Sequence, residues 1–309
     1  MSAGLACSPA PDRLDWARDG RDWPLRSRSR FVQAGGLRWH VQRGGQGTPV
    51  LFVHGTGAST HSWHALVERL GDGFEWVAFD LPGHGFTDPP ARGDATLIGV
   101  SRLVGSLLDA LDFAPRLVVG HSAGAAILCR MAIDGRIAPA HLVALNGALR
   151  PYWGRVSRIF SALARGLAES ELPARLVARR ARSSDSVDRM LDATGSRLEE
   201  AEIAWYRRLA SSPSHVQAAL RMMAGWDLVT LWQDLPRLEV PLLLLVGERD
   251  RFVRPEESEA VVRRVPRAER IVVSDVGHLL HEERPEAVAW RLRALDALSA
   301  APAPRPASR

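Results

Sequence analysis

Apolar and polar positions divide the chain into stretches with different periods. From Thr48 to about Ala148, short apolar runs alternate with longer segments of helical spacing. The runs near 49–53, 75–80, 116–120 and 141–145 predict strands, and the segments near 60–70, 95–111 and 123–134 predict helices. Upstream, Phe31 to Gln42 reads as a hairpin around Gly35-Gly36. Between 150 and 235 the alternation stops, and the pattern is that of several helices with no strand. It resumes with Pro241-Leu-Leu-Leu-Leu-Val246, a continuous apolar run expected of a strand buried on both faces. A short strand, Glu269 to Val273, and a last helix over 285–298 follow. This pattern predicts an α/β fold: a mostly parallel sheet with helices on both faces and a helical lid inserted between two strands. The expected organisation is a flexible leader over 1–27, a core over 28–149 and 236–299, a lid over 150–235 and a disordered Ala/Pro-rich tail over 300–309.

Candidate chemistry sits where strand runs end. Gly120-His121-Ser122-Ala123-Gly124 lies between the strand-like Arg116–Gly120 and the helix-like Ala123–Ala132. A G-x-S-x-G in that context forms a sharp turn that lifts the serine clear of the backbone. A serine hydroxyl needs a base to take its proton and an acid to orient the base. Asp250 follows the 241–246 run in Gly247-Glu-Arg-Asp250, and His278 follows the 269–273 run in Asp275-Val-Gly-His278. Both are therefore expected at the C-terminal edge of a parallel sheet, where ligand chemistry belongs. Ser122 is expected to be the nucleophile, His278 the base and Asp250 the acid. Glu248 and Asp275 are nearby rivals for the acid role. Asp275 lies too close to His278 along the chain to reach the far ring nitrogen easily. The oxyanion hole is assigned to the N–H groups of Thr56, in His54-Gly55-Thr56-Gly57, and of Ala123. Thr56 is preferred over Gly57.

The pocket is expected around His54, Gly55, Trp63, His121, Met223 and Trp226. His54 is also suited to orienting the oxyanion loop. His61, Trp63 and His64 either line the pocket or cover the start of a helix. Tyr152, Trp153, Trp205, Tyr206, Met222, Met223 and Trp226 either line a broad apolar pocket or form the lid's own core.

The set His54-Gly-Thr-Gly57, Asp80-Leu-Pro-Gly-His-Gly85, Gly120–Gly124, Gly247–Asp250 and Gly277-His278 resembles the α/β-hydrolase superfamily, over residues 28 to 298. A narrower set resembles the magnesium-chelatase accessory proteins of bacteriochlorophyll biosynthesis. It comprises Asp22-Trp-Pro24, Ser29–Val32, Gly35–Gln42, His54–Trp63, Leu145–Ala148, Thr194-Gly-Ser-Arg197 and Met222–Leu228. That resemblance implies a role near magnesium insertion into protoporphyrin, and it does not by itself imply a reaction. Two function classes follow. One is an esterase-like serine hydrolase working through an acyl-enzyme. The other is a non-catalytic accessory protein that binds a porphyrin for the chelatase.

Composition narrows the partners. A chain of 309 residues fits one α/β domain with an insertion. No run of about eighteen apolar residues suggests a membrane span. The two cysteines, Cys7 and Cys129, make no disulfide framework, as expected in a reducing cytoplasm. No metal or cofactor is expected, and no nucleic-acid module is visible. The net charge is +5, and all 40 Lys and Arg positions are arginine. The basic balance suits anionic partners such as tetrapyrrole propionates, acidic lipid head groups or acidic proteins, and the narrower resemblance implies magnesium-chelatase subunits as partners. The first lid helix carries Val156, Ile159, Phe160, Leu163 and Leu167 at helical spacing among arginines, a basis for peripheral contact with the inner membrane or for packing on the core.

Overall fold

A computed structural model describes residues 12–151, 170–183 and 185–300 of the chain. Eight strands form one sheet: β1 (Ser29–Ala34), β2 (Leu37–Gly45), β3 (Gly47–Val53), β4 (Gly73–Phe79), β5 (Leu117–His121), β6 (His141–Leu145), β7 (Leu242–Gly247) and β8 (Ala268–Val273). Their order is β1-β2-β4-β3-β5-β6-β7-β8. The hairpin β1–β2 and the β2–β4 pair are antiparallel, and the remaining pairs are parallel. This is the expected α/β architecture. The observed strands match the apolar runs to within about two residues.

Alternation along the central strands explains the layers. In β3, Leu51 and Val53 enter one core, and Val50 and Phe52 the other. In β7, Leu242, Leu244 and Val246 face the first core, and Leu243 and Leu245 the second. A strand buried on both faces shows no polar side, which is why β7 reads as an unbroken apolar run. Helices α3 (Leu97–Leu111) and α4 (Ala123–Ile133) supply much of the first core, α2 (His64–Leu70) and α12 (Pro285–Ala300) much of the second. Helix α1 (Trp16–Asp19) precedes the sheet.

Residues 12–27 differ from the flexible leader expected. Trp23 is 2% exposed and donates from its indole N–H to the Thr60 hydroxyl at 3.1 Å. Trp16 packs edge-on to Phe31 and Phe86. A polar average over this stretch hides two tryptophans that bury it against the hairpin.

The described part of the lid is helical: α5 (Glu171–Ser183), α6 (Ser186–Ala193), α7 (Glu200–Ala210), α8 (Pro213–Gly225) and α9 (Leu228–Asp234). The proposed first lid helix, with Tyr152 and Trp153, lies outside the described residues, as do Cys7 and the tail from 301. After β7 come α10 (Pro255–Val262) and α11 (Leu280–Glu283).

A buried polar contact fastens the lid to the core. Tyr206 of α7 donates its hydroxyl to Glu282 of α11 at 2.6 Å, and Ser62 donates to the same carboxyl oxygen. His61 packs edge-on to Tyr206, and Trp205 packs near Trp23 and Phe86. Tyr206 and Trp205 thus join lid to core. Burial raises the Glu282 carboxyl to about 8, against the lowering effect of the Ser62 and Tyr206 hydroxyls. An acid whose folded pKa exceeds its unfolded value favours the folded state fully below about 4.5 and loses that contribution as pH rises through about 8. Urea unfolding should therefore show the protein less stable at pH 8.5 than at pH 5.5, with Glu282 contributing on the order of 2 kcal/mol. In Glu282→Gln, which keeps the acceptor oxygen and cannot ionise, that part of the pH dependence should vanish.

Candidate active site

The turn at Ser122 is made by steric exclusion. Ser122 has φ 50° and ψ −114°, a left-handed conformation that a non-glycine residue rarely adopts. The chain leaves β5, turns at Ser122 and enters α4 at once. Backbone bonds hold the turn: the Ser122 N–H donates to Leu145 O at 3.0 Å, and Ser122 O accepts from Ala125 and Ala148. A side chain at Gly124 would lie 2.1 Å from Val53 O, and one at Gly120 would lie 2.5 Å from the Ala125 nitrogen. The two flanking glycines are therefore required by close backbone approach on either side of the serine. Helix α4 begins at Ala123, so its first-turn N–H groups and positive dipole end lie beside Ser122.

The loop His54–Gly57, expected to carry the oxyanion donor, leaves β3 next to that turn. A Cβ on Gly55 would sit 3.0 Å from Ser122 Cβ and 2.8 Å from His121 Nδ1. Gly55 is thus a point of contact with the nucleophile turn. Gly55 to Ala58 form a turn closed by the Ala58 N–H to Gly55 O, 3.2 Å, with Gly57 at φ 82° in its third position. Among the described residues, no loop or cap backbone bond uses the N–H of Thr56 or Ala123. His54 is fully buried, donates from Nδ1 to Gly55 O at 2.7 Å and accepts the Leu81 N–H at Nε2, 2.9 Å. Burial lowers its pKa, so the ring acts as a neutral bridge between two loops. Both ring nitrogens are thus taken, and none is left for a ligand.

Asp250 and His278 meet as a buried pair. His278 Nδ1 donates to Asp250 Oδ2 at 2.8 Å, with the Asp250 side chain fully enclosed. The other carboxylate oxygen accepts the Phe252 and Val253 N–H groups at 2.8 and 2.9 Å. Those amides aim the carboxylate at the imidazole and fix the tautomer whose Nε2 is a free base. The rivals point elsewhere: Asp275 pairs with Arg249, and Glu248 accepts the Asp275 N–H.

Residues beyond Ser122, Asp250 and the oxyanion loop hold the histidine in place. Asn146, itself at φ 46°, donates to Gly277 O at 3.0 Å and His278 O at 2.7 Å, and accepts the Gly247 N–H at 2.7 Å. It links the end of β6 to the acid and histidine loops. His121 donates from Nε2 to His278 O at 2.9 Å. Burial, with His281 and His278 nearby, keeps the His121 ring neutral. From the lid, Gly195 and Ser196 crowd Gly277, where a Cβ would lie 2.3 Å away, and Ser196 Oγ accepts the Leu279 N–H at 2.8 Å. The signal in the sequence was Gly195, a glycine flanked by Thr194 and Ser196, whose φ of 86° excludes most side chains.

The expected pocket residues divide. His54, Gly55 and His121 adjoin Ser122 and the oxyanion loop. Trp63 does not line an opening: it is fully buried in the second core, stacked on Phe52 and His281. His61 and His64 contact Trp23, Tyr206 and Trp205 instead, covering the helix start. Met223 is 67% exposed, and its neighbour Met222, turned about 100° around α8, takes the inward place. Met222 lines a cavity of about 280 Å³ with Leu81, Pro82, Ala174 and Ala218, and Arg13 and Arg175 also border it. Trp226 packs against the first core. Among the described residues no group of three or more His, Cys, Asp or Glu is placed to hold a metal, and no helix is long and apolar enough to cross a membrane.

Comparison with known proteins fits this geometry. Residues 48–285 match the family model described as alpha/beta hydrolase fold. The magnesium-chelatase 30 kDa subunit of Rhodobacter capsulatus is 36% identical over 84% of this chain and 92% of its own length. The pimeloyl-[acyl-carrier protein] methyl ester esterase of Vibrio vulnificus is 26% identical over 83% of this chain and 96% of its own. Among solved structures, a thermophilic esterase from Thermogutta terrifontis superposes with a TM-score of 0.68 at 27% identity, covering 87% of this chain and 98% of that one. The family match spans well over half of the sequence, and the chain belongs to the alpha/beta hydrolase fold family.

Proposed function

We propose that this protein is a serine hydrolase that cleaves a carboxylic ester through an acyl-enzyme, in or near the magnesium-chelatase step of bacteriochlorophyll biosynthesis. The observation that carries the reading is the buried Asp250–His278 pair at 2.8 Å, set at the same sheet edge as a serine on a left-handed turn.

In this reading, His278 Nε2 takes the Ser122 proton as Oγ adds to the ester carbonyl. The Thr56 and Ala123 N–H groups stabilise the resulting oxyanion. Asp250 steadies the imidazolium, which then protonates the leaving alcohol as the C–O bond breaks. Water, deprotonated by His278, attacks the acyl-enzyme; the second tetrahedral species collapses to release the acid and return the proton to Ser122. No step needs a cofactor. The substrate class that fits a relative named as a chelatase subunit is a tetrapyrrole ester, met in the cytoplasm or at the inner membrane.

That same relative favours a second reading, in which the protein binds a porphyrin for the chelatase subunits without turning it over. The two readings part at Ser122. Introduced into a Rhodobacter capsulatus strain lacking its 30 kDa subunit, the wild-type chain should restore pigment. Ser122→Ala at equal protein level should fail if hydrolysis is the role, and should restore pigment equally if binding suffices.

In vitro, Ser122→Ala should abolish hydrolysis of p-nitrophenyl esters with the unfolding midpoint little changed. Asp250→Asn should lower kcat by about 10³- to 10⁴-fold, because the neutral amide stabilises the wrong tautomer. Steady-state kinetics of the purified variants checks both, and unchanged turnover in Ser122→Ala would exclude the mechanism.

A further inference from the structure

The lid reaches the oxyanion loop through one face of α8. His215, Ala218 and Met222 are spaced by three and four residues, so they share that face. The His215 ring is buried and bonded at both nitrogens to core backbone. Nδ1 accepts the Gly85 N–H at 3.0 Å, and Nε2 donates to Gly57 O at 3.1 Å. One neutral tautomer satisfies both bonds, and burial favours the neutral ring by lowering its pKa to about 4. Beside it, Ala218 packs where Gly83 leaves no room for a side chain, and the Thr56 hydroxyl lies 3.7 Å from Met222 Sδ.

The turn that His215 grips is the one that carries Thr56. Its first carbonyl, Gly55 O, is held from the core by His54 and by the Ala58 N–H. The carbonyl after Thr56, Gly57 O, is held from the lid by His215. The Thr56 N–H shares one peptide plane with Gly55 O, and the Ala58 N–H that donates to Gly55 O shares another with Gly57 O, so the direction of the Thr56 N–H depends on both anchors.

We propose that His215 is a positioning residue for the oxyanion hole, which is complete only while α8 of the lid is docked. The proposal rests on the reading of Ser122 as nucleophile and Thr56 as oxyanion donor. Loss of the ring leaves Gly57 O without its donor and frees the turn to swing. A displacement of about 1 Å in such a donor is enough to cost about a hundredfold in rate. Because the oxyanion's full charge exists only in the transition state, the loss falls on kcat and spares KM.

The test uses the full chain as wild type, His215→Ala and His215→Gln. It follows the rate at which a fluorophosphonate modifies Ser122, together with kcat and KM for a p-nitrophenyl ester. His215→Ala should react about ten- to a hundredfold more slowly, with KM within about twofold of the wild type. His215→Gln, whose amide can donate to Gly57 O and accept from the Gly85 N–H, should recover part of the loss. A wild-type rate in His215→Ala, or an equal loss in both variants with a matching rise in KM, overturns the proposal while leaving the hydrolase reading intact. A wild-type protein that the probe does not modify overturns the nucleophile reading, and with it the proposal.

Discussion

Ser122 is held in a left-handed backbone conformation, at a cost of about 1–3 kcal/mol that the surrounding contacts must offset. The surrounding structure answers to that constraint. Gly120 and Gly124 are glycines because the neighbouring strand and helix approach to within 2.1 and 2.5 Å of any added Cβ. Gly55 is a glycine because the oxyanion loop passes over Ser122 Cβ. The backbone bonds from the turn reach Leu145 and Ala148, so β6 and the loop after it brace the strain. Asn146, between them, continues the brace to the histidine loop. The serine and the histidine are thus referenced to one point at the end of β6, although 156 residues separate them in the chain.

The lid is bound into the same framework. Thr194 to Arg197 wedge against the acid and histidine loops, Tyr206 reaches the buried Glu282, and His215 reaches the oxyanion loop. Each contact is a buried polar bond at a position where an unpaired group would be costly. A lid docked by such bonds docks in one geometry, since sliding would leave several of them unmade at once. Its helices therefore bear on the placement of the backbone in the loops they touch as well as on the shape of the cavity they line.

Strand runs, the order of Ser122, Asp250 and His278, and the glycines around the serine were legible in the sequence because each follows from a local rule. Two-sided burial writes an apolar run, a sharp turn writes glycines, and a parallel sheet puts its chemistry at strand ends. Asn146, Ser196, His215 and Glu282 were not marked for function, because their partners lie 76 to 220 residues away in the chain. Nothing in the neighbouring residues records such contacts. Trp63 is expected in the pocket from its place after the oxyanion loop, and Met223 from its place in the lid. A one-residue shift around α8 exchanges Met223 for Met222, and Trp63 instead packs on Phe52 in the second core. Residues 12–27 read as polar for a related reason: their packing rests on two tryptophans set among charged residues.

The central claim is that Ser122 forms a covalent intermediate in a site assembled for that purpose. Rapid quenching with acid after mixing the protein with an activated acetyl ester, followed by peptide mapping by mass spectrometry, tests it directly. The account predicts one acetyl group on Ser122 in the wild type and none on the corresponding peptide of Ser122→Ala. A wild type that turns the ester over with no acyl group on Ser122, or with the acyl group on another residue, would contradict it.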